Sequence, residues 1–253
     1  MLTMTTEPII EFEQVSKYFK LQLDSVKTVQ ELFFFPFKTR KPVKKFRVLE
    51  DVNLKIYAGD CVGVIGNNGV GKSTLLKLMS NILKPNHGTV TVRGCVVPLL
   101  ELGAGFHNEL TGHENIFLYG SILGMSRKQI LYRYEDIVTF SGMREYLKIR
   151  MKYYSSGMLA RLAFAIAIYS EFDILLADEV FSVGDVPFQH ACLERLREFQ
   201  RQQKTLLLVS HQHELIHRLC SKIIEISDGT IEMRHNPLIM SPMSDVKGAD
   251  IHP

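Results

Sequence analysis

The sequence predicts an α/β fold: a core with a mostly parallel sheet, an antiparallel β subdomain and an inserted α-helical subdomain. Three observations carry this expectation. Short runs at 61–65 (CVGVI), 173–177 (DILLA) and 205–210 (TLLLVS) are nearly all apolar and bounded by charged or turn residues, as strands buried on both faces of a parallel sheet are. Two longer runs, 8–19 (PIIEFEQVSKYF) and 47–60 (RVLEDVNLKIYAGD), alternate apolar with polar residues, as strands with one buried face do. From about 103 to 154 the pattern is mostly helical, with no buried-strand run within it.

Taken in order, the two alternating runs give an antiparallel edge, and 61–65 gives the first buried strand. LLKLMSNIL then continues as a helix. In the middle, GHENIFLYGSILG and SRKQILYRYEDIVTFSG read as helices, and the serines before Gly157 in YYSSGMLARLAFAIAI open a long Ala-rich one. Two further buried strands follow, and KIIEISDGTIEM closes the series as a hairpin turned at Asp228-Gly229. From Asn236 onward there are three prolines and no periodicity, so 236–253 is expected to be a loosely held tail.

Composition narrows the function. With 253 residues, 46% hydrophobic and 23% charged, the chain buries a sizeable core near the upper end of single-domain size. A net charge of +3 is too small to mark a nucleic-acid binder by itself. Cys61, Cys95, Cys192 and Cys220 show no CxxC spacing, which points to free thiols in a reducing compartment rather than a disulfide frame or a zinc site. The first residues, MLTMTTEPIIEFEQ, lack the basic and apolar regions of a signal peptide. No apolar run approaches the roughly 18 residues of a membrane span.

The chemistry starts at Gly66-Asn67-Asn68-Gly69-Val70-Gly71-Lys72-Ser73-Thr74, which fits G-x-x-x-x-G-K-[ST] between a predicted buried strand and a predicted helix. Glycines let backbone N–H groups turn inward around phosphate oxygens, and the helix presents its positive end to the same anion. Lys72 is placed to reach the outer phosphates of a nucleotide, and the Ser73 hydroxyl to ligate Mg2+. The bland reading, a Gly-rich turn beside an exposed lysine, is weakened by this context. At the end of FDILLADEV, Asp178 and Glu179 emerge together at the carboxyl edge of the sheet. Asp178 suits a metal held through water, and Glu179 suits polarising the attacking water. His211 ends the last buried strand, where an imidazole would contact the γ-phosphate and that water.

In this order GNNGVGKST, YSSGM, FDILLADE, SVGD and SHQ resemble the ATP-binding-cassette ATPases: Walker A, signature, Walker B, D-loop and switch histidine. The resemblance spans about 9 to 233 and implies a P-loop NTPase core. One ATPase domain would cover 1–235, with a helical subdomain at about 103–158, an inserted segment at about 20–46 and the tail at 236–253. LLELGAGFHNELTGHEN, with YSSGM and DEVFSVGD, is similar to the branch that exports O-antigen, capsular polysaccharide and teichoic acid. The implied mechanism is a homodimer closing head to tail around two ATP molecules, with Ser155, Ser156 and Gly157 of one chain capping the γ-phosphate held by Lys72 of the other. Tyr18 matches the aromatic residue that stacks on adenine, and Asp185 the D-loop contact to the opposite site.

Two departures stand out. The signature carries Ser156 where the family has glycine, and no glutamine occurs between Glu31 and Lys128 to serve the Q-loop; Glu101 stands closest, as a carboxylate that could ligate Mg2+. The segment from Lys20 to Phe46 exceeds what a hairpin needs; it puts Val26, Val29, Leu32 and Phe33 on one stripe and then a basic run, KTRKPVKKFR. That pairing suits an anionic membrane surface or a permease, or a helix packed on its own domain beside a solvated loop. The expectation is therefore the ATPase subunit of a polysaccharide or polyol-phosphate exporter, peripheral on the cytoplasmic side of the inner membrane, working with a separate permease and no nucleic acid. The alternatives are a non-transport ABC ATPase on nucleic acid or the ribosome, which usually carries paired cassettes or long coiled-coil insertions, and a nucleotide sensor without turnover.

Overall fold

The computed structural model describes residues 7–21, 44–100, 102–179, 184–210 and 212–237. Two sheets form the frame. The first is antiparallel, with strand β1 (Ile10–Leu21) between β2 (Lys44–Ile56) and β4 (His87–Val92). The second has six strands, β5 (Val96–Leu99), β6 (Ile174–Asp178), β7 (Thr205–Val209), β3 (Cys61–Ile65), β8 (Lys222–Ser227) and β9 (Thr230–His235), in that spatial order. All neighbours in it are parallel except the β8–β9 hairpin. Asp228 and Gly229 both adopt positive φ, 48° and 82°, as a two-residue turn matching strand twist requires.

The three runs expected as buried strands are β3, β6 and β7, and β3 and β7 are buried at every residue. Residue alternation sets the opposite pattern in β1, where Ile10, Phe12 and Val15 turn inward. Two strands, β4 and β5, have no counterpart in the sequence reading. β4 alternates Thr and Val without a long apolar run, and β5 spans only four residues including Pro98. Proline donates nothing to a ladder, and β5 sits at the sheet edge, where that costs least.

Helices fill the gaps: α1 (Lys72–Met79), α2 (Gly112–Ile122), α3 (Arg127–Ser141), α4 (Ser156–Ile168), α5 (Val186–Arg201) and α6 (His213–Leu219). Local chemistry fixes their ends. Thr111 with Glu114, and Ser126 with Gln129, form capping boxes, and Gly142 ends α3 in the left-handed conformation at φ 68°. α4 is buried from Leu162 to Ile168 because it packs two ways. Phe164, Ala167 and Ile168 join the core on one face of the large sheet, while Leu162, Ala163 and Ile166 join the core of α2 and α3. A third core lies between the two sheets and takes in α1.

Candidate active site

β3, buried throughout, delivers Gly66 to the carboxyl edge of the large sheet. The loop that follows has no room for side chains at its two ends. A Cβ on Gly66 (φ 148°) would lie 2.7 Å from the Ile226 carbonyl oxygen, and one on Gly71 (φ 118°) 2.6 Å from Val48 Cγ1. Gly71 is also the N-cap of α1 and offers no side-chain oxygen to the helix, so first-turn amides stay available to an anion. Lys72 is 9% exposed, and its Nζ donates to the carbonyl oxygens of Gly66 at 2.7 Å and Asn67 at 3.0 Å. The ammonium is thereby folded over the loop, where a phosphate chain would lie.

The neighbouring residue links this loop to β6, 105 positions away. Ser73 Oγ donates to Asp178 Oδ2 at 2.7 Å. Glu179 follows in a left-handed conformation, φ 55°, with its N–H donating to the Val209 carbonyl at 3.0 Å. A carboxylate residue held at positive φ stores strain of about 1–3 kcal/mol, and such outliers gather at functional sites. Lys72, Ser73, Asp178 and Glu179 line one cleft of about 710 Å3, together with Phe19 and Phe46. Its donor set fits Mg2+: a hydroxyl and a carboxylate are hard oxygens. Among the described residues no group of three or more His, Cys, Asp or Glu would hold a metal alone. A divalent ion that keeps waters and takes its remaining ligands from substrate phosphates is the kind that suits so few protein ligands.

The aromatic wall of this cleft does not include Tyr18. Phe19 and Phe46 face each other across β1 and β2 and border the cleft. The Tyr18 side chain is on the other side, in a smaller hollow of about 200 Å3, with Lys45 Nζ 4.7 Å from its ring centroid and the His87 ring at 6.2 Å. Adjacent strand residues point to opposite faces, and register shifts at Val15/Lys17 and Lys17/Tyr18 make the face undecidable by counting. Two neighbouring aromatics in SKYF were the only signal available.

Ser155 is the N-cap of α4, its Oγ accepting from the Met158 N–H at 3.2 Å. Neither it nor Ser156 nor Gly157 lines the cleft of Lys72. A Cβ on Gly157 would meet nothing nearer than Ser155 Oγ at 3.9 Å, so this helix end is open. Asp185 has a role within its own chain that sequence reasoning did not give it. It caps α5 by accepting from the Phe188 N–H at 3.1 Å and pairs with Arg161 Nη1 of α4 at 3.4 Å. Asn115 was also missed: fully buried, it donates to the carbonyls of His107, Leu110 and Thr111 and pins the loop ahead of α2. Glu101 and His211 lie outside the described residues, as do 22–43 of the inserted segment and the tail from 238.

A glycine cradle, a buried lysine over it, and a serine–carboxylate pair at the carboxyl edge of a parallel sheet define a P-loop nucleotide-binding protein. Comparison with known proteins narrows the class. The ABC transporter family model matches residues 49–182. The O-antigen export system ATP-binding protein RfbB of Klebsiella pneumoniae is 41% identical over 88% of this chain and 91% of that protein. ABC transporter protein AbcA of Aeromonas salmonicida is 38% identical over 92% of this chain and 74% of its own length. The teichoic acids export ATP-binding protein TagH of Listeria monocytogenes is 37% identical over 88% of this chain and 65% of that protein. The dimeric ATP-binding cassette MJ0796 in a post-hydrolysis state with ADP and Pi superposes with a TM-score of 0.71 at 20% identity, over 89% of this chain and 98% of that one, which establishes the shared fold. The chain belongs to the ABC transporter family, as an ATPase.

Proposed function

We propose that this chain is the ATP-hydrolysing subunit of an exporter that moves a lipid-linked polysaccharide or polyol-phosphate polymer across the cytoplasmic membrane through a separate permease. The relatives named for O-antigen and teichoic acid export support the cargo class. No helix among the described residues is long and apolar enough to cross a membrane, and the reading assigns the path to the permease. The reading places the chain peripherally on the cytoplasmic face, with the segment at 20–46 and the helices at 103–158 as the parts offered to the permease or membrane surface.

The observation that carries the chemistry is the 2.7 Å contact between Ser73 and Asp178 beside the glycine cradle. The amides from Gly69 to Ser73 and the Lys72 ammonium bind the phosphate chain. Ser73 and Asp178 would hold Mg2+, which would supply charge neutralisation at the phosphoryl group. Glu179 orients and deprotonates the attacking water, and His211 is assigned to the same water and the γ-phosphate. Ser155 to Gly157 of a second copy complete the site, since in their own chain they lie outside the Lys72 cleft.

Glu179→Gln tests the assignment. The variant is expected to bind ATP as the parent does, lose turnover by a factor of about 100 or more, and accumulate as a nucleotide-dependent dimer in gel filtration. Undiminished hydrolysis would remove Glu179 from the mechanism.

A further inference from the structure

A second cleft, of about 490 Å3, opens between the helical insertion and the core. Tyr132 and Arg133 of α3 form one side; Tyr169 and Phe172, on the connection from α4 to β6, form another with Arg195 of α5. Lys204 and Cys95 also line it, and they immediately precede β7 and β5. The cleft therefore lies at the amino edge of the large sheet, whose carboxyl edge carries the phosphate cradle after β3; a five-residue strand spans roughly 16 Å between the two edges.

Its electrostatics are unlike those of an ordinary surface hollow. Arg133, Arg195 and Lys204 line it against a single acid, Glu171. Each cation is laid on a ring: Arg133 over Tyr132 at 5.0 Å, Arg195 between Tyr169 at 5.0 Å and Phe199 at 4.7 Å, and Lys204 over Phe172 at 5.6 Å. Such stacking orients a guanidinium before any ligand arrives. The acids that pair with the two arginines, Asp136 and Glu198, are not among the lining residues. Arg195 pairs with Glu198 through Nη1, while its buried Nε has no hydrogen-bond partner, which is uncommon for a buried polar atom. Tyr132, by contrast, leaves 78% of its surface to solvent.

We propose that this cleft binds a nucleotide-sized organic phosphate, its ring against Tyr132 and its phosphate among Arg133, Arg195 and Lys204. A volume in the range of small-molecule sites, roughly 300–1,000 Å3, is too large for orthophosphate alone. Aromatic faces supply stacking for a heterocycle. The Gln202 amide supplies a donor and an acceptor for its edge, and Gln129, whose Oε1 accepts from Ser126 in the capping box, supplies its NH2 donors. The occupant would touch both α3 and α5, and no residue lining the Lys72 cleft.

The test uses the full chain with its phosphate loop saturated by Mg2+ and a non-hydrolysable ATP analogue. Uridine diphosphate is titrated by calorimetry, with orthophosphate as the parallel probe. One additional uridine diphosphate site per chain is expected, weakened about tenfold by Arg133→Gln and by Tyr132→Ala, while affinity for the ATP analogue is unchanged. The site should persist in the Lys72→Ala chain, which separates it from the cradle. Absence of heat from uridine diphosphate, binding untouched by both substitutions, or orthophosphate binding as tightly as the nucleotide would each overturn the proposal.

Discussion

Lys72 shows how a single residue is readied for an anion. A buried ammonium without partners is costly, and the two loop carbonyls at 2.7 and 3.0 Å supply them. Those same contacts place the charge at the mouth of the cradle. Phe19 and Phe46 act at the same scale. They border the cleft that holds the lysine, whereas Tyr18 does not. Phe19→Ala is therefore expected to weaken ATP binding about tenfold by loss of base stacking, and Tyr18→Ala to leave it within twofold of the parent. Fluorescent ATP-analogue titration separates the two, and the opposite ranking would restore Tyr18. Thiol chemistry is also set residue by residue. Burial pushes the Cys192 thiol up to about 12, and the sulfur contact with Cys61 together with burial holds the Cys220 thiol well above its ordinary value. Cys95 is exposed. Iodoacetamide at about pH 8 should label Cys95 and spare Cys192 and Cys220 in the native protein, since the thiolate is the reacting form. For Cys192 the sign is that of a raised acid: its neutral thiol favours the fold fully below the ordinary thiol value, and this is lost as pH rises towards about 12.

At the scale of elements, α4 has the heaviest duty. It begins at the open Ser155 cap and runs as a buried Ala-rich helix between two cores. Ala163 is fully buried in the core shared with α2 and α3. Ala163→Leu should overpack this contact and cost roughly 1–3 kcal/mol, read as a shift of the urea midpoint at unchanged slope. Arg161, one turn past Gly157, ties the helix to its surroundings by donating to the Ser141 carbonyl at 3.0 Å and pairing with Asp185. The start of α4 and the start of α5 are thereby held together. In the sequence, SRKQILYRYEDIVTFSG reads as a helix, and α3 fills it with Ser126 and Gly142 as its caps, an arrangement that involves residues only a few positions apart. β4 and β5 gave no such notice. A short edge strand owes its existence to the partner it pairs with, here β1 and β6.

The whole molecule carries half of each proposed catalytic unit on separate surfaces. The cradle is at the carboxyl edge of the sheet, and Ser155 to Gly157 lie outside that cleft. A head-to-tail dimer that pairs them predicts complementation. Lys72→Ala and Gly157→Asp chains should each be inactive alone, and their equal mixture should recover about a quarter of parental turnover, because about half of the dimers are mixed and one of the two composite sites in each mixed dimer is intact. An inactive mixture that still dimerises would contradict a site shared in this way.

Contiguous residues sufficed to reveal the glycine cradle, the carboxylate pair after a buried strand, the three buried strands themselves and the Asp228-Gly229 hairpin. Each of these follows from backbone sterics or from side-chain periodicity over a few positions, which any one segment displays without its neighbours. Tertiary structure alone decided that Ser73 meets Asp178, which of two adjacent aromatics borders the nucleotide cleft, that Asp185 caps a helix while pairing with Arg161, and where three ring-stacked cations gather around a second cleft. Those facts depend on strand register, bulges and packing between segments tens of residues apart, and no local rule encodes the distance between them.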